Sequence, residues 1–397
     1  MVLAPTRKGA CPTMYENIKT ICLPSVLPPG PAFLQGDEAC AEGAIAAGCS
    51  YYAGYPITPA SEIMEHIYQR FAEMPGRVFI QMEDEIASIA SCIGASWAGA
   101  LAMTATSGPG LSLMLENLGY ALLTETPLVI VDVQRAGPST GQATRPAQGD
   151  VMQARFGAHG DYELIALAPW SVQEMYSETI HAFSLAERFR VPVLVLADEA
   201  VGHLRESLTI EPTIRMYRRW RQGGRAPFGE AEVPPMPAFG EGERLLVTGS
   251  THDAWGYRQT SSAAAQAELV DRLVRKIIAH QDEISRTVTY HCDDEPLEAL
   301  LIAYGFTARS ALRAVAEARR HGQRVGLLRL ATLWPFPAEA VARWSASARR
   351  VIVAEMNRGQ VLREVQRVVP EASGYQRTDG EVIQPEELVA ALEEAAR

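Results

Sequence analysis

A chain of 397 residues is too long for one ordinary domain and suits two, each able to bury its own core. Hydrophobic residues make up 47% and charged residues 21%, the profile of a soluble globular protein, and a formal net charge of -11 argues against a nucleic-acid partner, which needs a basic face. Apolar runs such as Pro127 to Val133 and Val191 to Ala197 are far too short to cross a bilayer and read as buried strands.

The first 33 residues carry Arg7 and Lys8 and then the Pro-rich stretch LPSVLPPGP, which reads as an arm ordered only where it docks. No apolar signal core follows the basic residues, so a reducing cytoplasm is expected. A first domain spans residues 34–212. In it GDEACAEGAIAAGC is an Ala-rich helix with Asp37 placed to cap it. A strand at Arg77 to Met82 precedes a helix from about Asp84 to Ala98. The segment MTATSGPG ends one strand and opens a helix near Leu111. The helix Val172 to Arg188 leads into the strand Val191 to Ala197. Strands alternating with helices imply a largely parallel sheet covered on both faces, an α/β fold. Residues 213–240 are rich in Gly, Pro and Arg and read as a linker. A second α/β domain, 241–397, follows. Its expected strands are Arg244 to Thr248, Ala299 to Tyr304, Arg324 to Leu330 and Arg350 to Ala354; its expected helices are Ala263 to His280, Ala308 to His321, Ala338 to Ala346 and Pro385 to Ala396.

Four segments of the first domain could carry chemistry. In Tyr55-Pro56-Ile57-Thr58-Pro59 two prolines fix the backbone around Thr58, which either caps the next helix or presents its hydroxyl to a site. In Gln81 to Ser88 three acids fall where a strand hands over to a helix. Carboxylates favour a helix N-terminus for electrostatic reasons alone. Glu85 differs because the helix after it, IASIASCIGASWAGA, is small-sided and apolar, and a desolvated carboxyl there can serve as an acid or base. Thr106-Ser107-Gly108-Pro109-Gly110 lets backbone N–H groups approach a ligand, or is simply a tight turn. It is not a dinucleotide fingerprint, since a G-x-G-x-x-G from Gly108 would need glycine where Leu113 stands. Finally Arg135 leaves a buried strand at the head of a polar loop running through Thr140 and Arg145 to Asp150. Its guanidinium offers bidentate recognition of a carboxylate, against the plainer reading of a solvated surface loop. Cys11, Cys22, Cys40, Cys49, Cys92 and Cys292 form no C-x-x-C pair, so no metal or iron–sulfur site is expected from them.

In this order YPITP, EDEIA, TATSGPG, TETPLVIVDVQRAGPSTGQ and GDVMQARFGAHGD resemble the alpha subunit of 2-oxoacid:ferredoxin oxidoreductases, closest to the 2-oxoglutarate and branched-chain branch. The likeness resumes at THDAWGY, GLLRLATLWPFP and VIVAEMNRGQ. The resemblance implies a pyrimidine-binding domain for thiamine diphosphate followed by a transketolase C-terminal-like domain. It implies that Glu85 hydrogen-bonds the aminopyrimidine nitrogen and that Thr106, Ser107, Gly108 and Gly110, with Tyr55, Pro56 and Ile57, line the cofactor. Thr58 would face the 2-oxoacid end, and Arg135 would pair with the carboxylate lost as CO2. Thr140 and Arg145 would complete the substrate side, Arg145 holding the distal carboxylate of 2-oxoglutarate. His159 and Asp161, in the last of the five motifs, are expected to be structural. The family's diphosphate site, GDG followed by Asn, has no counterpart here. Mg2+ and a [4Fe-4S] cluster are therefore expected on a partner beta subunit, in an (alpha-beta)2 or larger assembly with CoA as co-substrate and ferredoxin, or a further electron-transfer subunit, as acceptor. Branched-chain 2-oxoacids are the alternative substrates, and a non-catalytic assembly subunit is the alternative of another class.

Overall fold

The computed structural model describes residues 19–293 and 296–394. The first half is organised by the strand Leu128–Ala136, buried along its whole length. Its run of Val and Ile is continuous rather than alternating because both faces of the sheet are covered. Outward on one side lie Ala102–Thr106, Tyr51–Gly54 and Val78–Gln81. On the other lie Pro192–Asp198, Ile165–Leu167 and, antiparallel at the edge, Thr332–Trp334. The remaining neighbours along this path are parallel. Active residues in such sheets collect at the carboxyl ends of the strands. The segments after Gly54, Gln81, Thr106 and Ala136, singled out from sequence, all begin at those ends.

The second half is a five-stranded sheet in the order Thr287–Tyr290, Val325–Leu330, Ala299–Ala303, Val351–Glu355 and Ser373–Gln376, parallel except for the first strand. Gly305–Arg320 and Pro385–Glu394 pack on it as helices; the final two residues of the helix expected to reach Ala396 lie outside the described residues. The expected strand Arg244 to Thr248 does not form. The place beside Val325–Leu330 belongs to Thr287–Tyr290, and Leu245 and Val247 pack on the main core instead.

Two boundaries shift. Of the arm expected over residues 1–33, residues 1–18 lie outside the description, but Lys19–Pro24 and Gly30–Gln35 are strands. They pair antiparallel with Thr213–Arg218 and Arg205–Ile210. The start of the expected linker is thus one half of a strand pair. The rest of it folds back on the first half. Buried Arg190 donates to the carbonyls of Pro227, Pro234 and Pro235 at 2.6, 3.2 and 3.1 Å, and its guanidinium lies over the rings of Trp97 and Phe228. A stretch poor in periodicity is ordered by one buried cation that needs acceptors.

Asp37 does not cap the helix Gly36–Ala47. The Gln35 N–H donates to Glu38 Oε2 at 2.8 Å, and Asp37 points elsewhere.

The halves are joined through Gln148, whose side-chain amide is fully used. Nε2 donates to Asp198 Oδ2 and to the Tyr304 carbonyl; Oε1 accepts from the Thr307 hydroxyl and the Met356 N–H. Asn357 Nδ2 donates to the Gln148 carbonyl at 2.6 Å. Gln148→Ala strands several buried partners, each costing about 1–3 kcal/mol. A lowered urea midpoint for the full chain is the expected result.

Candidate active site

Glu85 opens the helix Glu85–Trp97 and is 3% exposed. Asp84 is the N-cap, its Oδ1 accepting the Ala87 N–H at 2.8 Å, so Glu85 is not needed for capping. Burial raises the Glu85 carboxyl above the ordinary glutamate range and neighbouring Asp84 adds to this, while the Thr106 hydroxyl and Arg135 pull the other way. The result is a carboxyl able to hold a proton nearer neutrality. Gly110 lies directly against it. A Cβ at 110 would stand 2.0 Å from Thr106 Oγ1 and 2.3 Å from Glu85 Oε1, so only glycine lets the start of the helix Gly108–Leu123 come this close. Ser107 is buried with its hydroxyl unpartnered. A carboxyl, a threonine hydroxyl, an orphan serine hydroxyl and a glycine turn meet at one sheet end. This is a donor set that fits the polar edge of a flat heterocycle such as the aminopyrimidine of thiamine diphosphate.

Arg135, at the end of Leu128–Ala136, donates from Nη1 to the Thr58 carbonyl at 2.7 Å. The segment Tyr55 to Thr58 is thereby tied to the same sheet end. Arg135 Nε is buried without a partner, a donor left over for a ligand. Tyr55 and Pro56 are exposed, Ile57 and Thr58 half-buried. Arg135 also lines a cavity of about 470 Å³ between the halves, together with Gly108, Ser139, Asp150, Arg358 and Arg377.

Other expected residues stand apart. Thr140 is exposed on the loop after Gly137. Arg145 is half-exposed and paired with Glu381 at 2.9 Å rather than lining the cavity. His159 and Asp161 are exposed.

Sequence reasoning missed a carboxyl pair beneath Gly108. Asp132 and Asp150 are both desolvated. Burial pushes Asp150 up to about 6, and burial together with Asp150 lifts Asp132 well above the carboxylate range. Asp132 points inward from a strand that reads as uniformly apolar, so only its charge within VIVDV could have flagged it. The contribution of Asn357, Arg358 and Gln360 to the cavity was also missed, although NRGQ had stood out as a motif.

The model of the pyruvate flavodoxin/ferredoxin oxidoreductase, thiamine diphosphate-binding family matches residues 42–272, and that of pyruvate:ferredoxin oxidoreductase core domain II matches residues 298–388. 2-Oxoglutarate synthase subunit KorA of Methanothermobacter marburgensis is 49% identical over 90% of this chain and 97% of its own length. This chain belongs to the 2-oxoacid:ferredoxin oxidoreductase family. Ketoisovalerate oxidoreductase subunit VorB of Methanothermobacter thermautotrophicus, another relative, is 36% identical over 91% of this chain and 97% of its own. Among solved structures, the 2-oxoglutarate:ferredoxin oxidoreductase of Magnetococcus marinus, with 2-oxoglutarate, coenzyme A and succinyl-CoA bound, superposes with a TM-score of 0.86 at 31% identity. The match covers 92% of this chain and 65% of that one, so this chain spans a little under two thirds of it. The family assignment agrees with the resemblance drawn from the motifs, and the parallel-sheet α/β architecture is the expected fold class. This family's thiamine diphosphate-binding domain contains Glu85, Thr106, Gly110 and Arg135. No helix among the described residues is long and apolar enough to cross a membrane.

Proposed function

We propose that this chain is the alpha subunit of a CoA-dependent 2-oxoglutarate:ferredoxin oxidoreductase, interconverting 2-oxoglutarate with succinyl-CoA and CO2. The observation that carries the reading is the buried Glu85 carboxyl held against Thr106 under Gly110, inside a thiamine diphosphate-binding domain. When bound, that cofactor would supply the carbon nucleophile and electron sink for loss of CO2. The protein's own part is orientation and proton control. Glu85, its carboxyl raised by burial, would hold a proton toward the ring nitrogen of the aminopyrimidine and could both donate it and take it back. The unpartnered Ser107 hydroxyl and the Gly108–Gly110 backbone would bound the same ring edge. Arg135, fixed on the Thr58 carbonyl, would offer its unpartnered Nε to the carboxylate of the 2-oxoacid. Thr58, whose carbonyl Arg135 holds, is assigned to the same substrate end.

The diphosphate, its Mg2+ and the iron–sulfur cluster are assigned to a beta subunit. This sequence has neither a GDG motif followed by Asn nor a C-x-x-C pair. The assembly is then (alpha-beta)2 or larger, with ferredoxin or a further electron-transfer subunit as acceptor.

Substrate choice follows the greater identity to the 2-oxoglutarate relative. A branched-chain 2-oxoacid is the second reading, because Arg145 is engaged with Glu381 and so is less ready to take a distal carboxylate. Anaerobic, CoA-dependent viologen reduction by the purified complex with a panel of 2-oxoacids separates them. Preference for 2-oxoglutarate is expected, and Arg145→Met should then raise KM for it roughly 10- to 100-fold, the loss of one charged hydrogen bond. Preference for branched-chain acids, with KM indifferent to Arg145, would remove the substrate assignment and leave Glu85 and Arg135 in place.

A further inference from the structure

Asp37 is an anomaly. Its side chain is 0% exposed and neither carboxylate oxygen has a hydrogen-bond partner. An ionised carboxylate so placed is costly unless a cation meets it. Two further ligand atoms point at the same spot. Glu62 lies on the helix Ser61–Ala72 and His203 at the end of the short helix Glu199–His203. Glu62 Oε2 and His203 Nε2 are likewise buried without a hydrogen-bond partner. His203 Nε2 is 3.9 Å from Asp37 Oδ2 and 3.6 Å from Glu62 Oε2, and the three ligand atoms lie within 4.8 Å of one another.

We propose that Asp37, Glu62 and His203 bind one divalent transition-metal ion, separate from the proposed cofactor site. Ligand bonds of about 2.0–2.2 Å place neighbouring ligand atoms roughly 3–3.6 Å apart, so the two His203 distances need to shorten by at most a few tenths of an ångström, and the two carboxylates, within 4.8 Å of each other, by up to about 1 Å. The opposite face of the imidazole is already set. His203 Nδ1 stands 3.1 Å from Glu199 Oε1, and a proton held there leaves the Nε2 lone pair free for an ion. Gly202 gives the room, since a Cβ there would come within 2.8 Å of Asp37 Oδ1. Two carboxylates with one imidazole select Zn2+ or Mn2+ over the softer ions held by thiolates and over Mg2+, which prefers oxygen alone. The ion would tie three separate segments together: the helix Gly36–Ala47, the helix that begins just after Thr58-Pro59, and the short helix Glu199–His203. Its place is that of a brace behind the sheet end. The competing arrangement is a protonated His203 neutralising the same carboxylates with no metal at all.

The test uses the full-length chain, stripped with chelator and titrated with Mn2+ alone, free ion being read by electron paramagnetic resonance, then with Zn2+ as competitor. Uptake of about one ion per chain is expected, with nitrogen coupling from an imidazole in the bound spectrum. His203→Gln should abolish that coupling and weaken binding at least about 10-fold, and Glu199→Gln should weaken it about 10- to 100-fold. Absence of saturable uptake of either ion by the unaltered chain would overturn the site in favour of the protonated histidine. So would uptake that is unchanged in His203→Gln, or a bound spectrum without nitrogen coupling. The wild-type titration decides the matter even where a variant folds poorly, and none of the readouts depends on turnover.

Discussion

Glu85→Gln is expected to lower turnover of the assembled enzyme by about 10²- to 10⁴-fold, the loss of a positioned acid–base group. The substitution keeps shape and packing. Glutamine fills the same volume beside Thr106 and Gly110, so the cofactor pocket and the helix Glu85–Trp97 should survive. What disappears is the exchangeable proton. The amide can donate a hydrogen bond to the ring nitrogen but cannot take a proton back. Binding of thiamine diphosphate, followed by tryptophan fluorescence or calorimetry, should change far less than turnover. Near-normal turnover would sink the role given to Glu85 and would favour an assembly subunit that has kept the fold without the chemistry.

Glu125→Gln is expected to cost about 3–5 kcal/mol of stability, the range for removing one partner of a buried ion pair. Glu125 has no exposure. Its Oε2 accepts from Lys276 Nζ at 2.7 Å and from Arg272 Nη1 at 2.8 Å, both on the helix Ala263–Ile278. Burial acts to raise the carboxyl, but Lys276, Arg272 and Arg190 together outweigh it and hold the group well below the glutamate range. A depressed carboxyl contributes stability that is complete above the unfolded value of about 4.3 and is lost as pH falls toward the folded one. Urea unfolding at pH 7 should therefore show the full deficit of the variant, and the deficit should shrink progressively below about pH 4. A constant difference down to acid pH would show that lost packing, not charge, is responsible.

The parallel sheet of the first half was legible because β-branched runs such as LVIVDV and PVLVLA admit little else between Gly- and Pro-rich breaks. Glu85 was legible for a related reason: a charge at the head of a helix too apolar to be exposed. Arg135 and Thr58 could be named singly, but their contact crosses 77 residues of sequence, and no periodicity reports such a distance. The order in residues 213–240 was invisible because its cause, Arg190, falls in the short gap between the expected helix and strand, while its acceptors are proline carbonyls that carry no side-chain signal. Asp37 was misassigned for want of competition: both it and Glu38 satisfy the rule for a helix start, and only the structure shows Glu38 taking the Gln35 N–H. Arg145 shows a different limit. A charge at the right spacing on the right loop was assigned to a substrate, and the Glu381 carboxylate that shares it lies in the other half of the chain, where no spacing rule reports it.

The pairing of Lys19–Pro24 with Thr213–Arg218 sets a timetable for synthesis. The first of these strands leaves the ribosome long before its partner exists. At 5–20 residues per second the wait is roughly ten to forty seconds. Through that interval the chain carries an unmated edge, open to pairing with other nascent copies, while the strands Tyr51–Gly54, Ala102–Thr106 and Leu128–Ala136 can already assemble around their helices. The central sheet is thus free to condense during translation, and the two outer ribbons close only once the first half is complete. A chaperone that shields residues 19–24 until residue 218 has emerged would protect this chain more than the same aid given later.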